Sequence, residues 1–187
     1  MYLVTGCGRS GTKYTSIVLR SCGLDMPHEQ IGLDGSVSSV WAIDLKAEQY
    51  YKPHTCGSRS LFDIVLHQVR EPLSAIASIT TGSGGAITWV DKYTPLHFED
   101  DRIKWATEYW LYWNQLCEKQ AVITYKVETI DQRWNEIRDI LGINVPFPKN
   151  IPTNINTRIH ANVSWEYLSR YSGLIEELKE TAHRYGY

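Results

Sequence analysis

The first twenty-three residues leave this chain little choice of fold. Tyr2-Leu3-Val4-Thr5-Gly6 is a short apolar run that reads as a buried strand. Gly6 to Gly11 reads as a loop, and Thr12 to Cys22 as a helix stopped by Gly23. A glycine turn lets backbone N–H groups point inward, and the following helix adds its positive end. Strand, glycine loop and helix in this order open an α/β phosphate-binding fold.

The rest of the chain extends that start. Asp63 to Val69 is a second strand, apolar enough to be central in a parallel sheet. Arg70-Glu71-Pro72 ends it, with Pro72 in the first turn of a helix through about Thr80. Ala121 to Tyr125 reads as a third strand. A long helix from about Glu99 to Lys119 carries Ile103, Ala106, Trp110, Trp113 and Cys117 on one face. Ile130 to Leu141 reads as a helix ended by Gly142. Ser164 caps the first of two final helical segments, broken near Ser172-Gly173. Ser36 is expected to cap a helix through about Gln49, Gly82 to Gly85 to be a flexible stretch, and Lys52 to Ser60 and 144–160 to be irregular. Alternating strands and helices predict one domain over 1–187. Its expected form is a P-loop-like three-layer sandwich, a mostly parallel sheet with helices on both faces.

Composition narrows the function. The net charge is −2, so no global basic field argues for nucleic acid, and any anion site must be a local arrangement. No apolar run approaches the roughly 18 residues of a membrane span. Met1-Tyr2-Leu3-Val4 leads straight into the glycine motif without room for a signal peptide, and Cys7, Cys22, Cys56 and Cys117 lack paired spacing. Reduced thiols in a cytoplasmic protein are the expectation. Aromatic content is 12%, with 7 Trp and 12 Tyr against 3 Phe. Such amphipathic rings fill cores and also line sites that hold sugars, bases or other flat ligands, so the Trp105–Trp113 stretch is either packing or part of an acceptor cleft.

The loop reads Gly6-Cys7-Gly8-Arg9-Ser10-Gly11-Thr12-Lys13. A nucleoside triphosphatase loop needs Gly-Lys followed by Ser or Thr, the hydroxyl holding Mg²⁺. Here Thr12 and Lys13 are transposed, and one residue along a helix is about 100° of rotation, which turns Lys13 away. Arg9 is the basic group inside the loop. Arg9-Ser10-Gly11-Thr12 resembles the 5′-phosphosulfate loop of sulfotransferases that use 3′-phosphoadenosine 5′-phosphosulfate (PAPS). That family also has an Arg at the end of a central strand, often followed by Pro, and a Ser eight residues later. Arg70, Pro72 and Ser78 match it. His28-Glu29 and Asp34 to Ser38 are similar to bacterial sulfotransferases of the carbohydrate or tyrosylprotein type. Asn156-Thr157-Arg158 and Ser164 to Leu168 look like the family's cofactor-covering region. After the third strand the family often reads Tyr-Glu-Asp-Leu. This chain departs, with Tyr125-Lys126-Val127-Glu128, and only Glu128 matches the acid.

The resemblance implies PAPS as cosubstrate, 3′,5′-bisphosphoadenosine as product and no metal. It implies cofactor contacts from Gly8, Arg9, Ser10, Gly11, Thr12, Lys13, Arg70, Ser78 and Arg158. Arg9 is expected to stabilise the leaving group. Glu29, twenty residues after Arg9, takes the position of the family's base, and His28 is its competitor. The acceptor, a hydroxyl or amine on a small molecule, carbohydrate, peptide tyrosine or lipid, is open, as is the oligomeric state. Two other readings stay open at this point: a P-loop kinase or triphosphatase, and a silent nucleotide-binding module.

Overall fold

The computed structural model describes residues 1–46, 49, 59–152, 155, 160 and 162–187. Four strands, β1 (Tyr2–Thr5), β2 (Gly35–Val37), β3 (Ile64–Val69) and β4 (Ile123–Lys126), form an all-parallel sheet in the order β2-β1-β3-β4. In register, Val4 lies beside Val37 and Leu66, and Leu66 beside Ile123. Strands of this kind are buried on both faces, which explains their near-continuous apolar runs.

On one face Val4, Leu66 and Ile123 pack with Val18 and Leu19 of α1 (Thr12–Ser21) and with Trp134 and Ile137 of the segment that follows β4. On the other, Val69 joins a larger core built by α2 (Pro72–Ile79), α3 (Gly84–Tyr93) and α4 (Arg102–Glu118). The sheet is therefore sandwiched between helices, as the alternation of elements predicts. After β4 come a 3-10 stretch, Val127–Arg133, and α5 (Trp134–Ile140). Then α6 (Trp165–Leu168) and α7 (Leu174–Arg184) follow, the Ser164 side chain accepting from Tyr167 N–H as expected of a cap.

Three local expectations fail for identifiable reasons. Ser36 does not cap a helix: it lies inside β2 beside Leu3, because this short segment completes the sheet edge by pairing with β1. Tertiary pairing overrides its local polarity. Gly82 to Gly85 is not merely flexible, since Ser83 caps α3 by accepting from Ala86 N–H. The expected helix from Ile130 begins only at Trp134, Thr129 being non-helical. Cys7, Cys22 and Cys117 are free thiols. Cys56, most of the Lys52–Ser60 stretch and Asn156-Thr157-Arg158 lie outside the described residues. Among the described residues, no helix is long and apolar enough to cross a membrane.

His67 of β3 shows what burial does to a titratable group here. Its Nε2–H donates to Asn114 Oδ1 at 3.1 Å, because the Asn114 amide nitrogen is already donating to Trp110 O. Nδ1 then accepts from the Thr124 hydroxyl at 3.1 Å. Burial lowers the His67 pKa from 6.5 to about 4. A depressed pKa contributes stability that is fully present above pH 6.5 and is lost as pH falls through 4. The stability margin of the native protein over His67→Gln should therefore shrink across that window, by at most about 3 kcal/mol. Urea midpoints at pH 7, 5.5 and 4.5 check this, and a constant margin refutes it.

Candidate active site

The strand order fixes where a ligand site belongs. From β1 the chain steps outward to β2, then returns to β3 on the other side of β1. The carboxyl ends of β1 and β3 flank this reversal, where parallel sheets open a crevice. A cavity of about 360 Å³ lies there, lined by Gly8, Arg9, Gly11, Thr12 and Lys13 after β1 and by Arg70 after β3. Its size is within the range of small-molecule sites.

The glycine loop is shaped by close approach. A Cβ at Gly6 would lie 2.2 Å from Gln68 O, so only glycine lets β1 turn beside β3. Arg9 and Gly11 both adopt left-handed backbone, at φ 72° and 91°. Gly11 stands at the start of α1 without a side-chain cap, so among the described residues no capping side chain claims the first-turn N–H groups of that helix. Two buried groups lock the loop from outside. Gln68 Nε2 donates to Ser10 O at 2.8 Å, and Gly8 N–H donates to the Tyr109 hydroxyl at 3.0 Å. Burial raises the Tyr109 pKa well above its usual value, so the hydroxyl stays neutral.

The two expected anion-binding elements meet. Arg70 Nη1 donates to Arg9 O at 3.1 Å, and Arg9 Nε donates to Ser78 Oγ at 3.0 Å. Arg9 and Arg70 both line the cavity, whereas Ser78 is buried behind Arg9. Glu71 accepts from Leu73 and Ser74 N–H and so caps α2, and Glu128 Oε1 accepts from Glu71 N–H at 2.8 Å. Glu128 thus braces the turn that carries Arg70.

Opposite the loop stand His28 and Glu29. His28 bridges to Val37, and Glu29 N–H donates to Val37 O at 3.1 Å, so this pair extends the β2 edge. His28 Nε2 lies 3.0 Å from Thr12 Oγ1 and 3.6 Å from Glu29 Oε1. Glu29 has φ 60°, an uncommon conformation that costs of order 1–3 kcal/mol unless its surroundings fix it. Of four non-glycine residues with positive φ among the described residues, Arg9 and Glu29 both line this cavity. Among the described lining residues, Arg9, Lys13 and Arg70 supply positive charge and Glu29 a carboxylate, in a chain of net charge −2. The Cys7 thiol beneath the loop is pushed up to about 12 by burial, so it is no nucleophile at neutral pH.

The remaining wall is aromatic. Trp105, Tyr109 and Trp113 follow one another along α4 at intervals of four, and Ile87, Trp89 and Val90 come from α3. Trp105 and Tyr109 stack at 5.3 Å, and Tyr109 lies 5.0 Å from Trp113. These rings are at once core and cavity wall.

Of the expected site residues, Gly8, Arg9, Gly11, Thr12, Lys13, His28, Glu29 and Arg70 converge on one cavity. Ser10 is buried against Gln68, Ser78 acts through Arg9, and Arg158 lies outside the described residues. Sequence reasoning missed Gln68 and Tyr109. The signal for Gln68 was its place beside His67 as a polar pair in a central strand of aliphatic residues. Comparisons with family models, curated proteins and solved structures found no match to this chain. Gln68→Leu should cost about 1–3 kcal/mol, since it leaves the buried Ser10 carbonyl without its donor. Chemical denaturation measures that loss, and an unchanged midpoint contradicts the locking role.

Proposed function

We propose that this chain is a sulfotransferase using PAPS, with the cavity at the β1/β3 crevice as its active site. One observation carries the reading: Arg9, Arg70 and the uncapped start of α1 converge on a single cavity with a carboxylate, Glu29, in the same lining. The sequence Arg9-Ser10-Gly11-Thr12 supports the donor class, because it resembles the family's phosphosulfate loop. The residues present suit a doubly phosphorylated nucleotide, since two guanidinium groups and a helix start offer separate anion donors. When bound, the donor supplies the sulfuryl group: the acceptor oxygen bonds sulfur, the bond from sulfur to the 5′-phosphate oxygen breaks, and the electron pair leaves on that phosphate.

The chain's own residues divide the remaining work. Loop N–H groups and Arg9 stabilise charge that develops on the leaving phosphate, an effect of about 3–4 kcal/mol for one well-placed donor. Ser78 accepts from Arg9 Nε and so fixes the plane of that guanidinium. Arg70 binds the second phosphate and also holds the loop through Arg9 O. Glu29 takes the acceptor proton. His28 stands between Thr12 of α1 and Glu29, and orients that carboxylate.

Calorimetric titration with 3′,5′-bisphosphoadenosine in EDTA should give saturable binding, and ATP with Mg²⁺ should bind more weakly. Arg70→Ala should weaken the bisphosphate by roughly tenfold or more, the scale of a charge-assisted contact. Glu29→Gln should preserve binding and lower turnover by about 10²–10⁴-fold. Neither heat nor thermal shift with the bisphosphate, or a clear preference for ATP with Mg²⁺, defeats the proposal. Normal turnover of Glu29→Gln would remove Glu29 as base.

A further inference from the structure

The brace behind Arg70 does not end at Glu128. Glu128 is exposed, and an exposed glutamate gives up much rotamer freedom to hold one position. Each of its oxygens has its own donor. Oε1 accepts from Glu71 N–H at 2.8 Å, and Oε2 accepts from the Tyr187 hydroxyl at 2.8 Å. A carboxylate clamped at both oxygens can hold a turn, whereas one held by a single N–H swings about that bond. The turn after α7 brings the phenol there. Gly186 takes left-handed backbone at φ 83°; its N–H donates to His183 O, and Tyr187 N–H donates to Ala182 O, both at 2.9 Å. This pair of bonds closes the helix and directs Tyr187 away from it. Lys126, at the end of β4, secures the turn. Its Nζ donates to Gly186 O at 2.9 Å and lies 5.1 Å from the centroid of the Tyr187 ring. Burial, and then the Glu128 carboxylate, push the Tyr187 pKa well above its usual value, so the phenol remains a donor at neutral pH.

We propose that Tyr187 is a positioning residue for Arg70. Through Glu128 it fixes Glu71 N–H, and with it the backbone from which the Arg70 guanidinium reaches the cavity. The tip of Arg70 is anchored separately, on Arg9 O. An arginine fixed at both ends has less freedom to surrender when an anion arrives, so the brace raises affinity without a contact of its own. Tyr187 is absent from the cavity lining and acts only through this relay. The consequence for nucleotide binding rests on the transferase reading, in which Arg70 holds the second phosphate; the brace itself rests on the hydrogen bonds alone.

Tyr187→Phe keeps the ring and its place beside Lys126 and removes only the hydroxyl. Calorimetry on the full chain compares 3′,5′-bisphosphoadenosine with adenosine 5′-monophosphate, which lacks the phosphate assigned to Arg70. The variant should weaken the bisphosphate about fivefold or more and leave the monophosphate within about twofold, whereas a general loosening would weaken both. Amide exchange read by NMR needs no ligand. Glu71 N–H should exchange about tenfold faster in the variant, with the amides of β1 unchanged. On a Glu128→Ala background, Tyr187→Phe should alter neither readout further; the single variant decides alone if that double variant does not fold. Unaltered Glu71 exchange, equal weakening of both nucleotides, or bisphosphate binding that Tyr187→Phe leaves intact overturns the proposal. So does a further loss on the Glu128→Ala background. A wild type that binds neither nucleotide defeats the transferase reading, and Glu71 exchange then decides the brace by itself.

Discussion

The Gln68 carboxamide, buried inside the sheet, holds the glycine loop where its chemistry becomes useful. Its Nε2 donates to Ser10 O, while its own oxygen lies 3.4 Å from the Tyr125 hydroxyl. The loop is thereby tied to β3 and, through Tyr125, to β4. With Gly6 allowing β1 to press against β3, the backbone N–H groups after β1 and the guanidinium after β3 emerge at one crevice. Arg70 then closes the ring by donating to Arg9 O. Each of these links crosses from one element to another, so the site is rigid because the sheet is rigid. A left-handed Arg9 is tolerable only in such a frame.

That frame also settles how charge can be concentrated in an acidic chain. A pair of unit charges 4 Å apart interacts by about 1 kcal/mol in water and about 4 kcal/mol at an effective dielectric of 20. The net charge of −2 therefore matters less than the local ordering of Arg9, Lys13 and Arg70. Backbone and hydroxyl acceptors help to hold two of the three in place: Arg70 donates to the Arg9 carbonyl, and Arg9 to Ser78. Glu128 is kept to one side, bonded to Glu71 N–H and the Tyr187 hydroxyl.

How much of this the sequence revealed follows from the range of each interaction. The β1 loop, β3 and the Pro72 helix were legible because their signals are local: apolar runs, glycines and a proline at a helix start. Arg70 and the loop were legible as a pair through their resemblance to a family. β2 was not, because three residues with one buried valine and a Ser in the middle have no strand signal until β1 lies beside them. α3 was hidden by its own Gly84-Gly85, which local propensity reads as a break, although Ser83 caps them. Gln68 and Tyr109 could not be assigned because their partners lie 58 and 101 residues away. The meeting of Ser78 with Arg9 was equally invisible: spacing along one helix says nothing about which loop faces it.

The preference for tryptophan over phenylalanine links core and site. A Phe at 89, 105 or 113 would supply apolar area but no means of fixing the wall to its surroundings. An indole supplies both, and each N–H is used to tie the wall elsewhere: Trp89 to Gln49, Trp105 to Asp91 within α3, Trp113 to Ser39 beyond β2. The Trp105 tie holds α4 against α3, and the other two anchor these helices to the segments at Gln49 and Ser39. Core and cavity thus draw on the same three hydrogen bonds, and loosening any one of them would loosen the packing on which the cavity rests.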